Sequence, residues 1–312
     1  MTYVTLFNNN YDINLKKLIL LNNQLSSLPE TFGNLINLKI LCLQNNQLNS
    51  LPETFGNLTN LKTLCLQNNQ LSSLPETFGN LINLRYLLLH DNNKLSSLPT
   101  TIGNLINLKK LHLHNNQLTS LPTTFGNLIN LEILALQNNQ LTSLPTTFGN
   151  LINLRYLQSY NNQLSSLPET FGNLINLRYL QLHDNKLSNL PTTIGNLINL
   201  WGLLLNNNRL CSLPATIGNL IKLQLFWLNN NQLCSLPTTI LNIKNSISID
   251  ETSYEINNLN IDCEILIFSE LQINIVNLPI NIKKIWLGRK IKDPNIKLPF
   301  GCKIKIYTPR NE

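Results

Sequence analysis

The chain has 312 residues, of which 12% are charged and 43% are hydrophobic, and its formal net charge is +7. No stretch approaches about 18 uninterrupted apolar residues, so we expect no membrane-spanning helix. The chain also lacks a phosphate-binding glycine loop, a zinc-protease motif and a nucleophile elbow, so we expect no enzymatic activity.

Residues 1–14 precede a long repetitive region. Val4 and Leu6 alternate with other residue types, and this period of two is typical of a half-buried β-strand. We expect residues 1–14 to form an N-terminal cap strand. The segment has no basic start followed by an apolar run, so we expect no signal peptide.

Residues 15–245 consist of ten repeats of 23 or 24 residues, and residues 38–60 are the clearest copy, LKILCLQNNQLNSLPETFGNLTN. With the first Leu counted as position 0, Leu recurs at positions 0, 3, 5, 10, 13 and 20, and Phe or Ile stands at position 17. The alternation around positions 2 to 6 predicts a short strand with its Leu side chains buried. One repeat cannot bury its apolar face alone, so stacked repeats predict a parallel sheet.

An Asn recurs at position 8, where the chain turns sharply after each strand. An amide offers both a donor and an acceptor to the unpaired backbone groups of the turn. We therefore predict a structural Asn ladder, which is not catalytic. Its members are Asn23, Asn46, Asn69, Asn116, Asn139, Asn162, Asn185, Asn208 and Asn231.

A Leu-Pro pair follows in each repeat, and a short T-F-G-N or I-G-N segment comes after it in the first nine, whereas the tenth has Leu241 in place of Gly. Proline lacks an amide donor and suits the first position of a helical turn. Glycine is expected to close that turn. Each repeat therefore predicts one short helical or 3₁₀ segment after its strand.

The pattern L-x-x-L-x-L-x-x-N-x-L-x-x-L-P resembles the leucine-rich repeat family. The Leu-Pro and G-N-L elements resemble the intracellular subclass found in Ras-binding scaffold proteins and some bacterial effectors. The resemblance implies an α/β fold, a right-handed solenoid or horseshoe, with a parallel inner sheet and short helical or 3₁₀ segments on the convex side. It also implies a protein-binding role.

Residues 246–312 are rich in Ile, with strand-like segments at 247–249, 265–267, 285–287 and 304–306. They are similar to the shorter FNIP repeats, which accompany leucine-rich repeats in amoebae and in giant viruses that infect them. We expect 246–312 to form degenerate shorter repeats that continue the solenoid and cap its C-terminal end.

The exposed inner face of the sheet is expected to bind the partner. Aromatic side chains give large contact area at a small entropy cost, and all four histidines fall on this face. The predicted partner-binding residues are Tyr86, His90, His112, His114, Tyr156, Tyr160, Tyr179, His183 and Trp227.

Three of these histidines lie in adjacent repeats, His90 in one and His112 and His114 in the next. Their spacing is compatible with zinc binding beside Asp91, and also with a partner contact that depends on pH. An open, flat sheet offers no evident residues to orient metal ligands. We therefore expect no metal and no cofactor.

Position 1 carries a row of positive charges that we call the basic rim, interrupted by Glu132. The basic rim comprises Lys16, Lys39, Lys62, Arg85, Lys109, Arg155 and Arg178. Such a row either steers an acidic partner or keeps the protein soluble. No aromatic residues alternate with it at position 1 and no nucleic-acid module is present, so we do not expect a nucleic-acid partner.

Together these patterns predict a non-catalytic protein-binding module. One alternative is a substrate-recruiting subunit of a multi-chain enzyme complex, such as a ubiquitin ligase. Another is a protein that binds an acidic partner through the basic rim. The six cysteines form no Cys-x-x-Cys pair and are typical of a reducing compartment. We expect a cytoplasmic monomer, in the host cytoplasm if the protein is viral or an effector.

Overall fold

The computed structural model describes residues 3–7, 9–233, 236–243, 246–248, 265–268, 284–288 and 303–307. The chain divides into two compact units, Met1–Gln163 and Leu164–Glu312, which we call the N-terminal and C-terminal units. Both contain parallel strands, and 3₁₀ segments are the only helical elements in the described residues. The predicted α/β solenoid with short 3₁₀ segments is therefore confirmed.

The N-terminal unit begins with a hairpin, not with the single cap strand that we expected. Strands β1 (Tyr3–Leu6) and β2 (Asn9–Asp12) are antiparallel. Val4 and Leu6 are buried, in agreement with their alternation. The sequence of β2 is NNYD, and none of its side chains is fully buried. Without apolar alternation, β2 gave no signal as a strand.

Seven parallel strands follow the hairpin in the N-terminal unit. Each is three residues long, and its central Leu faces the core while its flanking residues face outward. The strands are β3 (Lys17–Ile19), β4 (Ile40–Cys42), β5 (Thr63–Cys65), β6 (Tyr86–Leu88), β7 (Lys110–His112), β8 (Ile133–Ala135) and β9 (Tyr156–Gln158). Consecutive strands pair in register, so equivalent repeat positions are neighbours.

The C-terminal unit also holds seven parallel strands among its described residues. They are β10 (Tyr179–Gln181), β11 (Gly202–Leu204), β12 (Leu225–Trp227), β13 (Ser246–Ser248), β14 (Ile265–Phe268), β15 (Lys284–Gly288) and β16 (Lys303–Tyr307). The last four lie at the Ile-rich segments of 246–312 and extend the sheet strand by strand. The chain between these four strands lies outside the described residues.

The 3₁₀ segments stack on the other side of the core from the strands. Those of the N-terminal unit are Glu30–Asn34, Glu53–Asn57, Glu76–Asn80, Thr100–Asn104, Thr123–Asn127 and Thr146–Asn150. Those of the C-terminal unit are Glu169–Asn173, Thr192–Asn196, Ala215–Asn219 and Thr238–Asn242. Proline precedes each segment as its N-cap instead of occupying its first turn, and its carbonyl accepts the first turn hydrogen bond.

The glycine of the 3₁₀ segments, which Thr238–Asn242 lacks, has a different role from the one that the sequence suggested. Gly126 lies within Thr123–Asn127, not after it, so it does not close the turn. A Cβ on Gly126 would overlap the backbone carbonyl oxygen of Thr147 in the next repeat. Glycine is therefore required because neighbouring 3₁₀ segments approach closely.

The core between the strands and the 3₁₀ segments consists of Leu layers and stacked Phe rings. The rings of Phe32 and Phe55 lie 6.2 Å apart, as do those of Phe55 and Phe78, and all three side chains are fully buried. Ile102 continues the row, and Phe125 and Phe148 stack at 6.3 Å. Because every repeat adds one layer, each repeat packs mainly on its two neighbours.

The position-8 amides bind the turns of adjacent repeats. Asn139 is typical, since its Nδ2 donates to the carbonyls of Leu113 and Leu136 and its Oδ1 accepts from the Leu118 amide. The predicted list omits Asn92, which is fully buried and makes equivalent bonds in the repeat with the extra residue. Asn23, at the start of the row, is exposed, and its Nδ2 donates to the Leu21 carbonyl of its own turn.

A second row of polar residues, at position 7, was not predicted. These residues adopt positive φ, a conformation that Asn and Asp tolerate better than most side chains. Those of the N-terminal unit are Asn22, Asn45, Asn68, Asp91, Asn115, Asn138 and Asn161; those of the C-terminal unit are Asp184, Asn207 and Asn230. Their side chains bond along the row, as from Asn68 Nδ2 to Asn45 Oδ1 at 2.7 Å.

Candidate functional site

The candidate site is the outward surface of the strands and of the residues directly after them, which we call the strand face. Strands β3 to β11 turn their central Leu inward, and β12 turns Phe226 inward, so the residues on either side project from the sheet. On β6, for example, Leu87 is fully buried whereas Tyr86 is 38% exposed. The strand face of each unit is described separately below.

Three histidines of the N-terminal unit form a cluster on the strand face. His112 ends β7, while His90 and His114 each lie just beyond their strands. The rings of His90 and His114 stack at 4.3 Å with planes 10° apart. The ring of His112 lies 6.0 Å from His90 and 5.8 Å from His114. One ring nitrogen from each residue lies within 4.8 Å of those of the other two.

The cluster is held together by the backbone of the sheet. The Leu89 amide donates to the His112 carbonyl at 2.8 Å, and the Asp91 amide donates to the His114 carbonyl at 3.1 Å. These bonds fix the two repeats in register, so His90 and His114 at position 6 must be neighbours. The expected gathering of the three imidazoles is therefore present in the structure.

The three imidazoles are poor proton acceptors. Burial lowers the pKa of His114 to about 4, with further lowering by His90 and His112 and an opposing effect of Asp91. Burial also lowers the pKa of His90, and Asp91 opposes this effect. Burial likewise lowers the pKa of His112, and His90 and Lys110 lower it further. The cluster is therefore uncharged near neutral pH.

Asp91 is the acidic group nearest to the cluster. Its Oδ2 lies 3.9 Å from His90 Nε2, and its Oδ1 accepts a hydrogen bond from Asn115 Nδ2 at 2.7 Å. The C-terminal unit repeats this local arrangement once, with His183 Nε2 at 3.8 Å from Asp184 Oδ2. Burial likewise lowers the pKa of His183, and Asp184 opposes this.

The other predicted residues of the N-terminal unit are aromatic. Tyr86 stands beside Lys110, whose Nζ lies 5.7 Å from the centre of the tyrosine ring, a cation–π contact. Tyr156 on β9 is 44% exposed, and Tyr160 just after β9 is half-buried. Tyr86 and Tyr156 therefore offer the larger accessible rings in this unit's strand face.

In the C-terminal unit, Tyr179 of β10 lies over Gly202 of β11, its partner in the sheet. The ring of Tyr179 lies 6.0 Å from that of Trp201, with the planes inclined by 30°. Trp201, which directly precedes β11, is 52% exposed, and we count it with the strand face because its ring lies beside that of Tyr179. Trp227, at the end of β12, is half-buried, and its Nε1 has no hydrogen-bond partner among the described residues.

Trp201 and Gly202 were missed by the sequence reasoning. Trp201 occupies position 1, where the repeat pattern predicts a row of charges, and Gly202 occupies position 2, where other repeats carry a side chain. The signal in the sequence that could have found them is the Trp-Gly pair, which stands where most repeats have Lys or Arg followed by a residue with a side chain. It marks the place where one ring can lie against the sheet.

The basic rim lies at the entrance to the strands. Its N-terminal members, Lys16, Lys39, Lys62, Arg85, Lys109 and Arg155, are all exposed. Their backbones bond in sequence, as from the Lys39 amide to the Lys16 carbonyl at 2.8 Å. Glu132 relieves the repulsion once, through a contact of 3.0 Å with Lys109 Nζ. Arg178, also exposed, belongs to the C-terminal unit.

Cys65, the last residue of β5, has a thiol with a raised pKa. Burial raises the pKa of Cys65 to about 12, and the neighbouring Cys42 adds to the effect. Cys42, Cys65 and Cys211 are free thiols. A protonated thiol is a poor nucleophile, so the half-buried Cys65 is not activated for catalysis. Cys234, Cys263 and Cys302 lie outside the described residues.

In the described part of the chain, we find no helix with the length and apolar character needed to cross a membrane.

Family models match most of the chain. The model described as a leucine-rich repeat region matches residues 75–171 and 165–261, and a second, described as leucine rich repeat, matches residues 13–71. Comparison with curated proteins finds no significant match.

Several solved structures are similar. A leucine-rich repeat protein of Leptospira interrogans is 29% identical, over 94% of this chain and 84% of that one, with a TM-score of 0.58. A second similar structure is the ectodomain of the Arabidopsis thaliana receptor kinase GASSHO1/SCHENGEN3 in complex with CASPARIAN STRIP INTEGRITY FACTOR 2. It is 29% identical over 94% of this chain and 35% of that chain, with a TM-score of 0.64. A third is the plant peptide hormone receptor RGFR1 in complex with RGF2, which is 26% identical over 94% of this chain and 55% of that chain, with a TM-score of 0.60.

Proposed function

Because this chain belongs to the leucine-rich repeat family, we propose that it is a non-catalytic module that binds a protein partner through its strand face. Two similar receptor ectodomains were solved in complex with CASPARIAN STRIP INTEGRITY FACTOR 2 and with RGF2, which supports a protein or peptide partner. This chain spans 35% and 55% of those receptor chains. Fold alone does not select a partner, so the proposal rests on the side chains of the strand face.

The observation that carries the proposal is the pair of rings formed by Tyr179 and Trp201. Trp201 exposes 52% of its surface, and its ring stands 6.0 Å from that of Tyr179. Gly202 lets Tyr179 lie against the sheet, so the pair is presented on a rigid strand. Trp and Tyr on rigid supports dominate the binding energy of many protein interfaces.

The remaining strand-face residues extend this proposed surface within each unit. In the C-terminal unit, His183 and Trp227 accompany the pair. In the N-terminal unit, Tyr86 and Tyr156 are the exposed aromatic anchors, and His90, His112, His114 and Tyr160 surround them with half-buried polar groups. We assign all of these to partner contact.

Photo-crosslinking from the strand face tests the proposal. A photoreactive amino acid at position 201 is expected to capture a specific protein, which mass spectrometry then identifies. The matched control carries the same group at position 198, because Ile198 is also 52% exposed.

The captured protein is then titrated against the purified chain. We expect Trp201→Ala to weaken binding by roughly 10-fold to 30-fold, the effect of losing about 1.4–2 kcal/mol from an interface anchor. Ile198→Ala is expected to leave binding unchanged. Equal crosslinking from both positions, or equal affinity of both variants, contradicts binding at the strand face.

The basic rim supports a second candidate, the binding of an acidic partner. Six exposed bases stand in consecutive or nearly consecutive repeats of the N-terminal unit, with only Glu132 opposing them. Reversing Lys39 and Lys62 to Glu is expected to slow association and to reduce its salt dependence. Lys94→Glu is the control, because Lys94 is exposed in the same unit but lies outside the rim. Equal association rates for the two variants reject this candidate.

Three finer features belong to the same proposal. We place the chain in the intracellular Leu-Pro subclass, with an FNIP-like segment at 246–312, and we propose a cytoplasmic monomer, in a host cytoplasm if the protein is viral or an effector. The free thiols at Cys42, Cys65 and Cys211 are compatible with a reducing compartment. Co-purification of the captured partner with an enzyme, such as a ubiquitin ligase, would instead favour a substrate-recruiting subunit.

A further inference from the structure

The histidine cluster of the N-terminal unit has the composition of a metal site. His90, His112 and His114 each place a ring nitrogen within 4.8 Å of the other two. Three imidazoles, with a fourth position left for water or another ligand, form one of the common zinc-binding sets. The register of the sheet brings them together, since β6 and β7 pair directly.

The cluster also contains polar atoms that lack partners. His90 Nδ1 and His114 Nδ1 are inaccessible to solvent, and neither has a hydrogen-bond partner among the described residues. A buried polar atom without a partner destabilises the folded state. Position 6 carries other buried polar atoms without partners, at Gln44, Gln67 and Gln137, so the case for a ligand rests on the proximity of the three rings.

We propose that His90, His112 and His114 bind one divalent transition-metal cation of the class to which zinc belongs. This departs from the expectation of no metal that the sequence supported, and it goes beyond the proposed function, because metal binding does not depend on a protein partner. The reason for the change is the proximity of the three rings in the folded chain.

The proton competes weakly for these nitrogens. The pKa of His114 is lowered to about 4 by burial and by the other two histidines. Metal binding requires the uncharged imidazole, and at neutral pH no proton needs to leave the cluster first.

Coordination requires a small rearrangement of the rings. At a zinc–nitrogen distance of about 2.0–2.1 Å, tetrahedral ligands stand about 3.3 Å apart, closer than the limit of 4.8 Å seen here. The nearly parallel rings of His90 and His114 also have to turn so that their lone pairs converge. Rotation about the side-chain bonds supplies this movement, because the strand face above the rings is open to solvent and the backbone stays fixed.

One acidic and one basic side chain lie beside the cluster. Asp91 lies beside His90 and attracts a cation, whereas Lys110, which also lowers the pKa of His112, repels one. The three neutral nitrogens therefore determine affinity. Imidazole ligands favour zinc, copper and nickel over magnesium and calcium, which prefer oxygen.

His183 provides a matched control within the same chain. It stands beside Asp184 as His90 stands beside Asp91, and burial lowers its pKa in the same way. No second histidine stands in the described residues of the C-terminal unit. A single imidazole beside one carboxylate lacks the three-nitrogen set, so His183 is not expected to bind the cation.

Calorimetric titration of zinc chloride into the full chain, free of any affinity tag and stripped with a chelator, tests the proposal. We expect binding of one zinc ion per chain at neutral pH. The single variants His90→Gln, His112→Gln and His114→Gln are each expected to lose this heat, whereas His183→Gln retains it. Unchanged circular dichroism in each variant shows that the loss is not caused by unfolding.

Cobalt(II) gives a second measurement that does not depend on heat. Its visible absorption strengthens when the ion is four-coordinate, so we expect an intense band in the wild type and in His183→Gln but not in the three cluster variants. The proposal is overturned if the wild type binds no zinc. It is also overturned if the triple variant of His90, His112 and His114 binds zinc as the wild type does.

Discussion

The ring of Tyr179 lies against Gly202, and a Cβ on Gly202 would occupy the place of the tyrosine Cδ2 and Cε2 atoms. The two residues are direct partners in β10 and β11. The absence of a side chain at Gly202 therefore leaves room for the ring of Tyr179, which lies 6.0 Å from that of Trp201. A glycine in a strand is here a binding-surface feature and not only a cost to strand stability.

Gly202→Ala is expected to move Tyr179 without unfolding the repeat. The displaced atoms belong to a side-chain ring at the surface, so the ring can rotate away. Loss of chain flexibility in the unfolded state partly offsets the strain, and we expect the free energy of unfolding to change by less than about 1 kcal/mol. Near-ultraviolet circular dichroism should change, because Tyr179 and Trp201 separate. An unchanged spectrum would contradict the contact.

Gly126→Ala is expected to be much more harmful, although both variants add one methyl group. The new Cβ would meet the Thr147 backbone oxygen and would lie 2.6 Å from Thr147 Cβ, and neither atom can rotate away. Overpacking of this kind costs roughly 1–3 kcal/mol. Urea denaturation of Gly126→Ala and Gly202→Ala under one set of conditions measures the difference. Equal stabilities would reject the explanation of these glycines by close approach.

Asn139→Ala is expected to destabilise the N-terminal unit by about 2–4 kcal/mol. The buried side chain donates to the Leu113 and Leu136 carbonyls and accepts from the Leu118 amide, and alanine leaves these groups without partners. The control is Gln140→Ala, because Gln140 is exposed and its backbone bond to the Leu118 carbonyl is kept. Chemical denaturation checks both variants, and similar losses would contradict a specific role for the amide ladder.

The stability of the C-terminal unit is expected to fall in mild acid through His183. Burial lowers its folded-state pKa below the unfolded value of about 6.5. Between the two values the unfolded chain binds more protons, so the free energy of unfolding rises with pH. The contribution is complete above the unfolded pKa and is lost as pH falls through the folded pKa. His183→Gln should flatten denaturation midpoints measured across this range, and a slope equal to that of the wild type would contradict the shift.

The repeated positions predicted most of the fold. Leu at positions 3 and 5 gave the strand and its buried side, and Leu-Pro gave the start of each 3₁₀ segment, because each choice satisfies a local requirement of one repeat. The ladder amide of the longer repeat was missed because HDNNKL offers both Asn92 and Asn93, and counting does not say where the extra residue lies. Burial decides the question in favour of Asn92.

The features that the sequence did not reveal depend on contact between repeats. Nothing in T-F-G-N says that Gly126 faces Thr147, because they lie in different repeats. Tyr179, Trp201 and Gly202 form one arrangement only after the strands are placed side by side. The histidine cluster was foreseen from equal repeat positions, yet its stacked geometry and its buried nitrogens come only from the packed chain.

Gly126 packs against Thr147 of the next repeat, and Asn139 bonds the preceding repeat. Equivalent residues recur along the array, so most repeats present the same contact surface to the neighbour on a given side. Within a run of such repeats, removal of a whole copy brings together two surfaces that already match. Unequal recombination between near-identical copies of the coding sequence can therefore change the number of repeats one at a time. Each resulting protein keeps contact surfaces between repeats that already fit each other. Sequence drift within a copy meets the opposite constraint, because a change at Gly126 must suit the following repeat and a change at Asn139 must suit the preceding one.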